Sequence, residues 1–285
     1  MSGDWTPPAL PPWRGGAATG ASAGVATCVL APNPGPMTLD GTNTWLLAAA
    51  GATEAVVIDP GPDDEQHLQA VLAAAARIGA RVVQVLLTHG HLDHSAGARR
   101  FGELTRAGVR ALDPAHTLGS EGLGDGDVVE VGGLRLDVLA TPGHTRDSLC
   151  FVLPEQQVLL TGDTVLGRGT TVVAHPDGRL AEYLASLQRL EALAAELDLQ
   201  QVLPGHGPVL TVPEAMPVQV LRFYLRHRRA RLDQVRAAVA AGAATAPDVV
   251  RRVYADVPRE LWPAAELSVR AQLEYLGVDR VGRIP

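Results

Sequence analysis

Lysine is absent: all 24 basic residues of this 285-residue chain are arginine, set against 31 acidic residues for a formal charge of −7. A chain this acidic does not hold nucleic acid by bulk charge alone. Complete Lys-to-Arg replacement in an Ala-rich chain reads as the mark of a GC-rich genome, although Arg does suit phosphate and carboxylate recognition. Cysteine is nearly absent too. Cys28 and Cys150 stand far apart and match no metal-ligand or redox spacing, so no disulfide framework is expected and a reducing cytoplasm fits. No apolar stretch is long enough to span a bilayer, and Met1 to Gly16 lack a basic segment followed by an apolar one. Neither membrane insertion nor secretion is expected.

What is present is an ordinary globular composition, 46% hydrophobic and 19% charged, enough for one large domain or a large domain with a small appendage. Residues 1–24 are rich in Pro, Gly and Ala without periodicity and read as a flexible lead-in. From residue 25, short apolar runs bounded by Gly, Pro, Asn or Asp predict strands near 25–30, 44–48, 55–58, 82–87, 128–131, 134–139, 148–153, 158–161 and 201–203. Helical spacing predicts helices over 63–78, 95–107 and 180–197. Short turns between neighbouring strands imply antiparallel hairpins rather than strict βαβ repetition. After Pro213 strands vanish, and helices are expected near 216–241, 247–254 and 263–276. The chain thus divides into a mixed α/β (α+β) domain over 25–212 and a helical C-terminal domain over 213–285.

The strand ends carry the chemistry. After the run 82–87 comes His89-Gly90-His91-Leu92-Asp93-His94, four ligand-type side chains within six residues. Composition alone would produce H-x-H-x-D-H in about one such chain in 2,000. Residues two apart on an extended segment point the same way, so His89 and His91 can share one ion while the turn into the next helix swings Asp93 and His94 toward a second. Three later strand ends each place one more ligand-type residue in a Gly-flanked turn: His144, Asp163 and His206.

This series resembles the metallo-β-lactamase superfamily over about residues 25–212. The resemblance implies an αββα sandwich in which His89, His91 and His144 hold one divalent ion, Asp93, His94 and His206 hold a second, and Asp163 bridges them. Zinc is the expected ion, with iron or manganese as alternatives that such ligands accept. True lactamases of the superfamily mostly carry Cys where Asp163 stands, and di-iron redox members carry Glu where His91 stands, so the set looks hydrolytic. The segments Met37–Thr44, Leu166–Val173 and Pro204–Val209 look like the lactamase-beta-like-2 group. That similarity implies a winged-helix-like C-terminal domain and an endoribonuclease acting on single-stranded RNA. The alternative is a thioesterase of glyoxalase-II or polyketide-release type. A third reading, a nucleic-acid-binding protein with a structural metal site, suits an intact seven-ligand set least.

Two divalent ions sharing a water would lower its pKa enough to supply a metal-bridging hydroxide near neutral pH, with Asp93 or a metal-bound water returning the proton to the leaving group. Asp59 either hydrogen-bonds a ligating histidine or serves the Pro60-Gly61 turn. Arg228 interrupts an apolar stripe on the helix near 216–241, with Tyr224, His227 and Arg231 on the same side; it is either a substrate clamp or a cation snorkelling at a domain seam. His175, close to the Gly-Thr-Thr segment, is the last substrate candidate, while His67 and His116 are expected in surface or turn roles. The oligomeric state is open, with a dimer allowed. Residues 1–210 hold 12 Arg against 23 acids, a net of −11, and residues 211–285 hold 12 Arg against 8 acids, a net of +4. RNA is therefore permitted, with the all-Arg helical domain as its expected contact surface.

Overall fold

The computed structural model describes residues 21–22 and 24–278. Most of the lead-in expected over 1–24 lies outside these described residues. Two six-stranded sheets face each other. The first runs β1 (Ala21–Ser22), β2 (Ala26–Leu30), β3 (Asn43–Leu47), β4 (Glu54–Ile58), β5 (Arg81–Leu86) and β6 (Gly108–Arg110). The second runs β7 (Val128–Val131), β8 (Leu134–Ala140), β9 (Leu149–Leu153), β10 (Val158–Gly162), β11 (Gln201–Pro204) and β12 (Leu210–Thr211). The hairpin expectation holds for most neighbours, but β4–β5, β5–β6 and β10–β11 are parallel. Each parallel step is made by a helical crossover, since a tight turn cannot reverse the chain twice.

Trp45, Leu47, Ile58 and Leu86 of the first sheet meet Leu136, Val138, Phe151 and Leu160 of the second in the inter-sheet core. The outer face of the first sheet is covered by α1 (Glu65–Arg77) and α3 (Ala98–Thr105) through Leu68, Val71 and Phe101. The outer face of the second is covered by α4 (Leu180–Glu196) and the first half of α5 (Pro217–Ala240) through Tyr183, Leu187, Val220 and Leu221. Burial on both faces explains why β9 and residues 158–160 of β10 read as continuous apolar runs rather than alternating ones.

The helix expected over 95–107 starts later, as α3, and is preceded by a separate short helix, α2 (Leu92–Ser95). The break falls at Gly97, where a Cβ would sit 2.8 Å from the Pro62 carbonyl oxygen and the backbone N–H donates to Gly61 O at 2.9 Å. Backbone this close admits only glycine. Strands β1, β6 and β12 were not expected; at two or three residues they are too short to show a period. The second half of α5 packs with α6 (Ala246–Val253) and α7 (Trp262–Tyr275) around a separate core of Val235, Val249 and Val269. Among the described residues no helix is long and apolar enough to cross a membrane.

Candidate metal centre

Four strand ends meet at one edge of the sandwich. The chain leaving β5 presents His89 and His91, then turns into α2, which carries Asp93 and His94. The exits of β8, β10 and β11 bring His144, Asp163 and His206 to the same place. Two ligand clusters result, His89 with His91, His144 and Asp163, and Asp93 with His94 and His206, the ligand atoms in each lying within 4.8 Å of one another. His91 Nδ1 is 3.0 Å from His89 Nε2 and 3.1 Å from His144 Nε2. In the second cluster His94 Nε2 is 3.2 Å from His206 Nε2, and Asp93 Oδ2 is 3.2 Å from His206 and 3.3 Å from His94. Asp163 serves both, with Oδ1 3.4 Å from His94 and 3.3 Å from His206, and Oδ2 3.6 Å from His144. Gly205 permits that approach, because a Cβ there would lie 2.5 Å from Asp163 Oδ1.

The outward nitrogens fix which atoms face inward. His144 Nδ1 donates to Val172 O at 2.7 Å with Thr171 Oγ1 at 3.1 Å, and His206 Nδ1 donates to Gly41 O at 3.1 Å. Asp59, held at a left-handed φ of 51° and 1% exposed, accepts from His94 Nδ1 at 2.9 Å. It also accepts from the Thr88 backbone N–H at 2.8 Å and from Thr88 Oγ1 at 2.7 Å, and that hydroxyl lies 3.0 Å from His89 Nδ1. One carboxylate thus orients a histidine of each cluster, the contact expected of it as an orienter. Four imidazoles are left presenting Nε2, and His91 presents Nδ1.

Such convergence of lone pairs suits cations. The inward-facing imidazole nitrogens lie against each other and the carboxylates of Asp93 and Asp163, and the buried Asp163 Oδ1 has no hydrogen-bond donor. Burial, reinforced by the neighbouring imidazoles, holds His89 well below its ordinary pKa, and burial lowers His144 as well. In the second cluster burial is outweighed: the Asp163 carboxylate lifts His94 well above the ordinary range and His206 to about 9. The same contacts hold Asp163 and Asp93 well below the usual carboxylate range against the effect of burial. His89 and His144 of the first cluster are therefore neutral donors, whereas His94 and His206 of the second hold protons that a cation would displace. The residues fit two divalent ions.

The substrate candidates from the helical region lie elsewhere. Tyr224, expected to meet substrate, is wholly buried; its hydroxyl accepts from Leu166 N at 2.9 Å and sits 3.2 Å from the Leu166 and Gly169 carbonyls. Arg228, the expected clamp, is 4% exposed, donates to Thr171 O and lies 5.0 Å over the Tyr183 ring. The stripe that Arg228 interrupts faces the second sheet, which is why both residues end inside. His227 is half-buried and stacks on Phe223 at 5.9 Å, and His175 lies 3.8 Å from Glu274 of α7. His67 is also not at the surface: α1 buries it, with Nε2 2.9 Å from Thr44 Oγ1.

Sequence reasoning missed three contributors. Thr42 Oγ1 donates to Asp93 Oδ2 at 3.1 Å; it sits in the segment 37–44 already singled out. Thr88 directly precedes the motif. His116 lines a cleft of about 550 Å³ beside His91, together with Leu112, Asp113, Arg146, Asp147 and Asp177, and no local pattern announces it. Asn43 is buried and donates to Pro204 O at 3.0 Å and Gly207 O at 2.9 Å, tying β3 to the turn that carries His206.

Fold and clusters together define a hydrolase with a centre suited to two metal ions. The family model of the metallo-beta-lactamase superfamily matches residues 37–206, and that of the beta-lactamase associated winged helix domain matches residues 245–279. The chain belongs to the metallo-β-lactamase superfamily. It is 34% identical over 246 residues to an atrochrysone carboxyl ACP thioesterase of Aspergillus fumigatus, covering 82% of this chain and 74% of that one. It is 32% identical over 272 residues to a beta-lactamase-like protein 2 homolog of Caenorhabditis elegans, covering 91% and 86%. A solved metallo-beta-lactamase family protein of Thermus thermophilus superposes with a TM-score of 0.73 at 26% identity, covering 88% of this chain and 93% of that one.

Proposed function

We propose that the chain hydrolyses acyl thioesters, using zinc at the two clusters. The lining of the cleft beside His91 carries this reading: three carboxylates, Asp113, Asp147 and Asp177, face one guanidinium, Arg146. Binding of a single-stranded RNA draws on Lys and Arg at successive phosphates. A cleft lined this way repels a polyanion, whereas a thioester carbonyl is neutral. A volume of about 550 Å³ suits a small acyl group. The relative from Aspergillus fumigatus bears the name of a carrier-protein thioesterase, and that of the worm relative specifies no substrate. The order of preference expected from the sequence, RNA before thioester, is thereby reversed.

His89, His91, His144, Asp163, Asp93, His94 and His206 would hold two divalent cations, which would supply Lewis acidity to water and to the substrate carbonyl. The chain's own groups do the rest. Asp59, Val172 O and Gly41 O hold His94, His144 and His206 in the orientation the reaction needs. Asp93, steadied by Thr42, would pass the proton released by the attacking water to the leaving thiolate through its carboxylate. Leu112 offers the acyl chain an apolar wall.

The purified protein is given a panel of acyl thioesters and, in parallel, single-stranded RNA, each with and without chelator, while thiol release and RNA length are followed. Thiol release that stops with chelator and returns with zinc is expected, with the RNA intact and close to two zinc ions per chain by elemental analysis. RNA cleavage without thiol release overturns the reading.

A further inference from the structure

The segment 165–173 links Asp163 to α4 and lies directly behind His144. It is gripped by the C-terminal helices at three points. Tyr224 of α5 binds the backbone of Leu166 and Gly169 through its hydroxyl. Arg228 of α5 donates from Nη2 to Thr171 O. Ser268 of α7 accepts from Val173 N at 3.3 Å through its hydroxyl. Between the last two grips stand the groups that face His144, Thr171 Oγ1 and Val172 O. The same guanidinium lies 5.0 Å over the ring of Tyr183, whose hydroxyl donates to the carbonyl of Thr164, the neighbour of Asp163, at 2.7 Å. Arg228 thus touches the supports of two ligands at once. Keeping it there is costly, since it is 4% exposed and its Nε has no hydrogen-bond partner. A purely apolar residue of similar length would pack at that position at lower cost.

We propose that the C-terminal helices are a positioning element of the metal centre, with Arg228 and Ser268 clamping residues 171–173 against His144 and so aiming its Nε2 at His89 and His91. The proposal rests on His144 being a metal ligand and not on the identity of the substrate. Arg228 is a positioning residue that acts through the backbone of Thr171. A support of this kind typically changes metal affinity by ~10–100-fold when removed.

The test reads metal binding, not turnover. Zinc affinity by competition with a chromophoric chelator, and the visible spectrum of the cobalt(II)-loaded protein, are measured for the wild type, Arg228→Met, His144→Ala and the double variant. Arg228→Met keeps the apolar stem and removes the donor. We expect zinc affinity to drop at least ~10-fold in Arg228→Met, a changed cobalt spectrum, partial recovery in Arg228→Lys, and no further loss when Arg228→Met is added to His144→Ala. Losses that multiply in the double variant, or an unchanged affinity in a folded Arg228→Met, overturn the proposal. Should Arg228→Met fail to fold, Ser268→Ala carries the same cycle with a smaller loss, about threefold. Wild-type zinc binding without thioesterase activity would count against the proposed substrate and leave this inference standing.

Discussion

The sandwich and the C-terminal helices carry opposite charge and use it differently. Residues 1–210 hold 12 Arg against 23 acids, residues 211–285 hold 12 Arg against 8. In the sandwich, part of the acidic excess is drawn to one edge, where Asp59, Asp93 and Asp163 stand among buried imidazoles. In the helices, the basic excess is dispersed over local partners: Arg222 pairs with Glu191, Arg236 with Asp233, Arg270 with Glu266, and Arg252 caps carbonyls at the end of α5. Exposed pairs of this kind contribute little to stability. A regional charge sum locates an excess without saying whether it is available.

If chemistry resides in the sandwich and support in the helices, substitutions should separate accordingly. The largest effect is expected from Asp163→Ala, which takes a ligand from both clusters: turnover should fall on the order of 10³-fold, with metal content well below two per chain and an unchanged circular dichroism spectrum. Retention of two ions would show that Asp163 does not join the clusters. Asp59→Asn should cost ~10–100-fold in zinc affinity or activity, because a single carboxylate orients His94 directly and His89 through Thr88. Loss confined to the second ion would mean that the Thr88 link is idle.

The smallest effect belongs to the helices. Burial, aided by Arg228 and Arg231, pushes the pKa of His227 down to about 4. The folded form therefore keeps this ring neutral while the unfolded chain protonates near pH ~6.5. Its contribution is nil above that pH, and stability is lost as pH falls from ~6.5 toward about 4. His227→Phe should flatten the Tm profile over that window and leave turnover at neutral pH unchanged. A profile that superposes on the wild type would place His227 in free solvent.

The candidate ligands were legible because His89, His91, His144, Asp163 and His206 stand beside glycines just past apolar strands and Asp93 and His94 follow in the same short motif, a pattern local in the sequence. Asp59 was legible as one of two readings, and geometry chose between them through His94. The helix break at Gly97 escaped notice because its cause, the Pro62 carbonyl, lies 35 residues away in the chain. Arg228 and Tyr224 were rightly singled out as unusual and wrongly aimed: helical periodicity says which face is shared, not what that face meets.

Residue types and spacing determined by themselves the candidate ligand clusters, the αββα class and the helical tail, because ligand-type spacing and apolar periodicity are written in short segments. Only the tertiary structure decided which nitrogen of each imidazole faces inward, that Asp163 reaches both clusters, and that the cleft beside His91 is acidic. Those depend on carbonyls and carboxylates brought together from separate strand ends, from Val172 with His144, 28 residues apart, to Gly41 with His206, 165 apart. Distance along the chain hides them, and packing alone creates them.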